Sequence, residues 1–157
     1  MNINESKNYC ILSNSINKLL LDKFKDYPII GKMNFNDLLS KLEFFSSKRI
    51  VFNETFYYLN NSEKKEILDL LNKQNIKYII ITSDVEDTLL ADYLIVFDKE
   101  NIVVEGSSKE VLKEEKLLKR LGFGLPFVVD LSLSLEFYDI LDKVYYDTSS
   151  LVGELWN

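Results

Sequence analysis

The chain has 157 residues, of which 46% are hydrophobic and 28% charged, and its formal net charge is -6. This length and composition suit one globular unit with an ordinary core and leave too little chain for two. The acidic balance argues against nucleic acid or an anionic membrane surface as the main partner, because both require a basic face.

The cysteine content and the first residues bear on the compartment. The single cysteine, Cys10, cannot form an internal disulfide. The first eight residues lack the apolar segment of a signal peptide. No apolar run approaches the roughly 20 residues that a membrane-spanning helix needs. We therefore expect a cytoplasmic protein without direct membrane insertion, whose association with any membrane transporter would be peripheral.

Four short apolar runs predict strands that are covered on both faces, because the runs are continuous and do not alternate with polar residues. They span residues 9–12, 50–52, 78–81 and 93–97. Segments with helical spacing, 14–25, 35–45 and 62–73, lie between them. This alternation predicts an α/β fold with βαβ topology and a mostly parallel sheet.

Local signals mark the ends of several elements. Asn60 with Glu63, and Ser107 with Glu110, have the spacing of capping boxes that begin helices. A polar run at 98–101 separates the apolar runs 93–97 and 102–104, which predicts a hairpin at the edge of the sheet.

The composition changes after residue 121. Two glycines and a proline within 122–126 precede two further helical pieces, at about 127–141 and 149–156, and Asp147 or Thr148 can cap the second. We therefore divide the chain into an α/β core, residues 1–121, and a carboxyl-terminal helical extension, residues 122–157.

Two strand ends resemble motifs of ABC-transporter ATPases. Residues 50–54 read Ile-Val-Phe-Asn-Glu, where that family has a hydrophobic strand ending in Asp-Glu. Residues 80–84 read Ile-Ile-Thr-Ser-Asp, where the family has a switch histidine followed by Asp. The order of elements through residue 106 also resembles the family. Residues 117–135 and the final residues 147–156 are similar to the extension found in ATPases of energy-coupling-factor and cobalt-type importers.

The resemblance implies a truncated, degenerate P-loop-NTPase-like core that lacks the family's helical subdomain. In such ATPases the first acid of the strand-ending pair holds Mg²⁺ through water, and the second orients or deprotonates the attacking water. Asn53 stands at the first position, Glu54 at the second and Ser83 at the switch position, and the chain has no histidine. Losing one positioned acid-base group typically costs 10²- to 10⁴-fold in rate. We therefore expect no catalytic residue, with Glu54 a remnant.

The first strand is followed by the only candidate for a phosphate-binding loop, residues 12–19. Lys18 matches the motif's lysine. Leu12 and Asn17 replace its glycines, and Leu19 replaces the hydroxyl residue. Glycines are needed there so that backbone N–H groups can surround a phosphate. Lys18 is therefore a weak candidate for nucleotide binding, and its alternative role is a solvated lysine on an amphipathic helix.

Three functional interpretations follow. The first is a catalytically inactive interaction or regulatory subunit without a cofactor. The second is a weak ATP-binding protein or ATPase that uses Lys18 and Glu54 with Mg²⁺. The third is a Mg²⁺ site for phosphoryl-transfer or nuclease chemistry at Glu54, Asp84 and Asp87, since side chains after neighbouring parallel strands converge. In the structural alternative to this third site, Asp84 caps a helix.

Two groups of apolar residues are candidates for protein contact. We call the carboxyl-terminal extension, residues 122–157, the tail. In the importer ATPases that it resembles, the corresponding extension helps to pair subunits, which implies a homodimer or a heterodimer with a full-length ABC ATPase. The tail residues that could form such a surface, or could instead close the chain's own core, are Phe127, Val128, Leu131, Leu135, Leu155 and Trp156. Tyr57 and Tyr58 could likewise anchor a contact or fill vacated space.

Overall fold

The computed structural model describes residues 3–16 and 18–156. Its centre is a six-stranded sheet in the order β2-β3-β4-β1-β5-β6. All neighbouring strands are parallel except β5 and β6, which form an antiparallel hairpin at the edge. The strands are β1 (Tyr9–Ser13), β2 (Ile29–Ile30), β3 (Arg49–Asn53), β4 (Lys77–Thr82), β5 (Tyr93–Asp98) and β6 (Asn101–Ser107). The predicted mostly parallel α/β sheet with a terminal hairpin is confirmed.

Seven α-helices and two short 3-10 segments connect and follow the strands within the described residues. The α-helices are α1 (Lys18–Asp22), α2 (Phe35–Glu43), α3 (Asn61–Lys73), α4 (Ser108–Val111), α5 (Glu115–Arg120), α6 (Phe127–Phe137) and α7 (Thr148–Leu155). The 3-10 segments, Thr55–Tyr58 and Val85–Leu90, follow β3 and β4 directly. No described helix combines the length and the apolar character needed to span a membrane.

The predicted capping boxes are both formed. Asn60 accepts a hydrogen bond from the backbone N–H of Glu63, and the Glu63 carboxylate accepts one from the backbone of Asn60. Ser107 and Glu110 make the same reciprocal pair at the start of α4. Each box satisfies backbone donors that a helix start leaves without partners.

Both faces of the sheet are covered, which explains the continuous apolar runs. Register places Cys10 and Phe52 on the same face, since each is paired with Ile80. On that face, β2, β3 and β4 pack against α2 and α3, whereas β1 and β5 pack against α4 to α7. The opposite face packs against Leu20 and Phe24, in and just after α1.

Two predicted helices are longer than those observed. The helix predicted at 14–25 is reduced to α1, because the chain before it forms a polar turn in which Ser15 N–H donates to Ser13 Oγ. Successive turns follow it, with Phe24 N–H bonded to Leu21 O. The helix predicted at 127–141 ends at residue 137, where Asp139 adopts a left-handed φ of 57°. Strand β2 was not predicted.

Candidate functional site

The carboxyl ends of β3 and β4 lie side by side, as expected for neighbouring parallel strands. Asn53 is the last residue of β3 and is in register with Ile81. The next residue, Glu54, donates its backbone N–H to Ile81 O at 2.8 Å. Glu54 also has a left-handed φ of 49°, which ends the strand and turns the chain into the following 3-10 segment. The fold therefore brings Asn53, Glu54 and Ser83 to one edge of the sheet.

The Glu54 carboxylate is held by two side chains. Lys32 Nζ lies 3.1 Å from Glu54 Oε2, and Ser83 Oγ donates to Glu54 Oε1 at 3.3 Å. The hydrogen bond to Glu54 raises the pKa of Lys32. Glu54 therefore already has a cationic partner from its own chain.

Lys32 is a residue that sequence reasoning missed. It follows the edge strand β2 and Gly31, so its place depends on the pairing of β2 with β3. The two consecutive isoleucines of β2, Ile29 and Ile30, were the signal that could have indicated this short strand. A buried bond also fixes the connection, since Thr55 Oγ1 donates to Ile30 O at 2.7 Å.

Tyr57 and Tyr58 lie beside this ion pair. The two residues are 61% and 67% exposed, and their rings meet edge to face with centroids 5.0 Å apart. Lys32 Nζ is 5.1 Å from the centroid of Tyr57 and 5.9 Å from that of Tyr58. These distances are in the range of cation–π attraction, so the two rings help to hold the Lys32 ammonium near Glu54.

The residues at this edge do not suit a magnesium ion. Asn53 has no charge, and its Oδ1 is buried without a hydrogen-bond partner among the described residues. Mg²⁺ prefers carboxylate and phosphate oxygens, and an ammonium beside the remaining carboxylate repels a cation. The pair therefore offers one neutral oxygen and one carboxylate that is already neutralised.

The candidate phosphate-binding turn has a different role in the structure. The Asn14 side chain donates to Leu121 O at 2.9 Å, which ties the turn to the end of α5. Lys18 is exposed at the first residue of α1, a helix of five residues. Asn17, which replaces the second motif glycine, lies outside the described residues. The described part of this turn contains no glycine that would let backbone N–H groups surround a phosphate.

Each of the three carboxylates of the alternative metal site is bonded to a partner of its own. Asp84 accepts a bond from Glu86 N–H and caps the 3-10 segment after β4, which is the structural role considered above. Asp87 is bonded to Lys64 Nζ at 2.6 Å and to Thr82 Oγ1 at 2.9 Å. Within residues 3–16 and 18–156, no group of three or more metal-binding side chains is assembled. The site at Glu54, Asp84 and Asp87 is therefore not formed.

Asp87 and Lys64 form a buried pair that sequence reasoning also missed. Burial is the main influence on Asp87 and raises its pKa, while the bonds from Lys64 and Thr82 act in the opposite direction. Lys64 lies on α3 and Asp87 on the segment after β4, so the pair joins a helix to the end of a strand. Its place in the core gives it a structural role.

The six candidate contact residues of the tail have different environments. Val128 is buried, and Leu131 and Leu135 are partly buried, all against the cluster that includes Cys10, Leu12, Leu94 and Val96. Phe127 and Trp156 are 70% and 81% exposed, and Leu155 is also exposed. The tail therefore closes the core with one side and presents apolar side chains with the other.

A polar contact fixes the start of α6 on the core. Phe127 N–H donates to Glu86 Oε1 at 2.6 Å. A carboxylate at this position also interacts favourably with the positive end of the helix dipole. The first turn of the tail is thereby joined to the segment that follows β4.

Curated relatives of the chain are ATP-binding proteins of transporters. Energy-coupling factor transporter ATP-binding protein EcfA1 of Geobacillus kaustophilus is 32% identical over 112 residues, which cover 68% of this chain and 40% of that protein. The protein of the same name from Mesomycoplasma hyopneumoniae is 27% identical over 164 residues, covering 99% of this chain and 59% of the relative. The chain thus spans less than two thirds of either relative. No family model matches the sequence.

Among solved structures, cbiO1 from Clostridium perfringens, described as part of the ABC transporter complex cbiONQ, has a similar fold. The comparison gives a TM-score of 0.54 at 14% identity and covers 89% of each chain. At this identity the similarity concerns the fold alone. The sequence relatives and the shared fold together show that the chain is related to the ABC-transporter ATPases of the energy-coupling-factor type.

Proposed function

We propose that this chain is a catalytically inactive ABC-ATPase-like protein that acts as an interaction or regulatory subunit. The observation that carries the proposal is the contact of Lys32 Nζ with Glu54 Oε2 at 3.1 Å. In the related enzymes an acid at this position acts on the attacking water. Here Lys32 Nζ and Ser83 Oγ contact the two carboxylate oxygens of Glu54, where such a water would have to bind.

Other substitutions at the same edge act in the same direction. Asn53 lacks the charge of a metal-binding acid, and Ser83 lacks the charge and length of an imidazole. Removing one charge-stabilising donor from an active site typically costs about 10²- to 10³-fold in rate. Even without full additivity, several such losses leave no useful rate of hydrolysis.

The outer side of the tail supplies a surface for contact. Large apolar side chains on this side are exposed, and we call them the tail surface: Phe127, Phe137, Tyr138, Ile140, Val152, Leu155 and Trp156. Large exposed apolar side chains such as these are suited to protein–protein contact, and aromatic residues often dominate its energy.

The partner that we propose is another ATPase-like chain, either a second copy or a full-length ABC ATPase. The named relatives are ATP-binding proteins of transporters, and cbiO1 is part of a transporter complex. We place the chain in the cytoplasm, peripheral to such a transporter. The alternative of weak ATP binding by Lys18 and Glu54 has less support, since Lys18 is exposed and Glu54 is already paired.

Sedimentation equilibrium tests the proposed contact, with the chain alone and mixed with the full-length Geobacillus kaustophilus relative. We expect association in at least one case, weakened about tenfold or more by the double variant Phe137→Ser/Trp156→Ser. Phe44→Ser is the matched control, because Phe44 is equally exposed but lies at the end of α2. A monomer at high concentration that does not bind the relative would overturn the contact role.

A further inference from the structure

The opposite edge of the sheet, at the amino ends of β3 and β4, contains an opening of about 960 Å³. Four segments line it, residues 5–6, 26–27, 45–49 and 74–77. Arg49 and Lys77 are the first residues of their strands and are in register. Lys48 adjoins them, since its carbonyl accepts from Lys77 N–H at 2.9 Å. This opening is therefore separate from the edge that carries Glu54.

Arg49 is a buried cation without a complete set of partners. It is only 5% exposed, and its Nη2 donates to the carbonyls of Asn4, Glu5 and Lys7, each at 3.0 Å. Its Nη1 is buried and has no hydrogen-bond partner among the described residues. No carboxylate of the described chain forms an ion pair with Arg49. A buried charge of this kind is costly unless an anion compensates it.

A second polar atom in the same lining also lacks a partner. Gln74 Nε2 donates to Leu42 O at 3.2 Å, with a longer contact to Glu43 O, which leaves Gln74 Oε1 as a buried acceptor. No described residue donates to this oxygen. The residues that line the opening thus include one with an unused cationic donor and one with an unused neutral acceptor, and both of these atoms are covered.

The charge balance of the opening is opposite in sign to that of the whole chain. Three cationic side chains, those of Lys48, Arg49 and Lys77, line it together with the two carboxylates of Glu5 and Asp26. The complete chain carries a net charge of -6. A local excess of positive charge in an acidic protein favours an anion at this place.

We propose that this opening binds a small organic oxyanion, a carboxylate or a phosphate ester, that also carries an N–H or O–H donor. The oxyanion accepts from Arg49 Nη1, and the donor of the ligand is directed to Gln74 Oε1. Arg49 Nη1 is covered in the structure, so binding displaces a neighbouring group. Tyr27, whose ring lies 6.0 Å from the guanidinium carbon, and the turn at residues 4–7 lie outside helices and strands, and the proposal requires one of them to move.

Amide NMR titration of the full chain tests the proposal at constant ionic strength. The probes are malate and succinate, which differ by one hydroxyl, and glycerol 3-phosphate and inorganic phosphate, with sodium chloride as reference. We expect saturable shifts at residues 4–7, 45–49 and 74–77, and tighter binding of malate than of succinate. The carboxylate and phosphate series show which oxyanion is preferred.

Variants assign the effect to the named atoms. Arg49→Lys keeps the charge but loses the planar guanidinium that can donate two parallel hydrogen bonds. We expect it to weaken binding on the order of tenfold. Gln74→Leu should remove the preference for malate over succinate without changing succinate affinity. Lys32→Gln, at the opposite edge, should change neither the affinity for these anions nor the preference for malate.

Three results would overturn the proposal. They are shifts that grow linearly without saturation, shifts centred on α1 or Lys32, and a malate preference that survives in Gln74→Leu. If Arg49→Lys does not fold, Gln74→Leu and Lys48→Gln still test the site, because both change side chains that line the opening without removing the Arg49 bonds. Loss of the proposed tail contact would not affect any of these results.

Discussion

Two acidic residues that follow neighbouring strands show how different surroundings assign different roles to the same chemistry. Glu54 follows β3 and pairs with Lys32 at 3.1 Å, with side chains 28% and 45% exposed. Asp87 follows β4 and pairs with Lys64 at 2.6 Å, with side chains 1% and 10% exposed. The second pair is part of the core, whereas the first lies at the open edge of the sheet.

The difference separates a contact within the core from a contact at the surface of the candidate site. Breaking a buried pair leaves a charge without a partner and is strongly destabilising, while an exposed pair is screened by water and contributes little. We therefore expect the sheet to tolerate poorly the loss of either Asp87 or Lys64 alone, and to tolerate better the removal of both charges together. The pairing of Glu54 with Lys32 changes what the edge can bind, with little consequence for folding.

The largest effect is expected from Lys64→Met. This variant leaves the Asp87 carboxylate buried with only the Thr82 hydroxyl as a side-chain partner. We expect the free energy of unfolding to fall by about 3–5 kcal/mol at neutral pH. Urea unfolding measures it, and the double variant Lys64→Met/Asp87→Leu, which removes both charges, should recover most of the loss. A loss below about 1 kcal/mol would place this pair in the class of surface ion pairs.

The same variant should be sensitive to pH. Burial raises the pKa of Asp87 in the folded chain above its usual 3.8. A raised carboxyl pKa contributes stability that is fully present below the unfolded pKa and is lost as pH rises through the folded pKa. Removing Lys64 raises the folded pKa further, because the cation favours the charged form. The stability difference between parent and Lys64→Met should therefore grow from about pH 4 to pH 7.

Unfolding curves across this pH range measure the trend. The double variant Lys64→Met/Asp87→Asn is the control, since it has no carboxylate to titrate at this position. Its difference from Lys64→Met should shrink as the pH falls. A penalty for Lys64→Met that is constant with pH would contradict the assignment of Asp87 as the responsible group.

An intermediate effect is expected from adjacent residues at the end of β4. Thr82 Oγ1 donates to Asp87 and accepts from the backbone N–H of Asp84, and it is buried. We expect Thr82→Val to lower the free energy of unfolding by about 1–3 kcal/mol. Ser83→Ala is the matched control, because Ser83 is exposed and its hydroxyl donates to Glu54 at 3.3 Å. Equal losses of stability in Thr82→Val and Ser83→Ala, measured by thermal unfolding, would remove the distinction between the buried Asp87–Lys64 pair and the exposed Glu54–Lys32 pair.

The smallest effect on folding is expected from Lys32→Gln. The lysine is exposed, so its contact with Glu54 should not contribute measurably to the unfolding midpoint. Differential scanning calorimetry at low and high salt would detect any contribution. A clear drop in the midpoint at low salt would mean that the exposed pair helps to hold the edge together.

The sequence predicted the parts of the fold that have local signals. The four central strands follow from continuous apolar runs, and the starts of α3 and α4 follow from Asn60 and Ser107 with a glutamate three residues later. The position of Glu54 after β3 was also predicted, because a parallel strand ends at a definite edge. The relation to ABC-transporter ATPases of the energy-coupling-factor type, inferred from two strand-end motifs, the order of elements and the tail, is confirmed.

The partners of the site residues were not predictable in the same way. Lys32 reaches Glu54 only because the two-residue strand β2 pairs with β3, and two isoleucines are a weak signal. From the sequence alone, Lys64 would be taken for an exposed charged residue of α3. Its burial depends on how that helix meets the segment after β4. The same holds for the alternative metal site at Glu54, Asp84 and Asp87, because the sequence did not show that each acid has its own partner.

Calorimetric titration with Mg-ATP tests most directly the claim that the Glu54 edge has lost its nucleotide chemistry. We expect no saturable heat at millimolar Mg-ATP, either with the parent chain or with Lys18→Ala. Saturable, Mg²⁺-dependent heat that is weakened in Lys18→Ala would contradict the account and favour an ATP-binding protein.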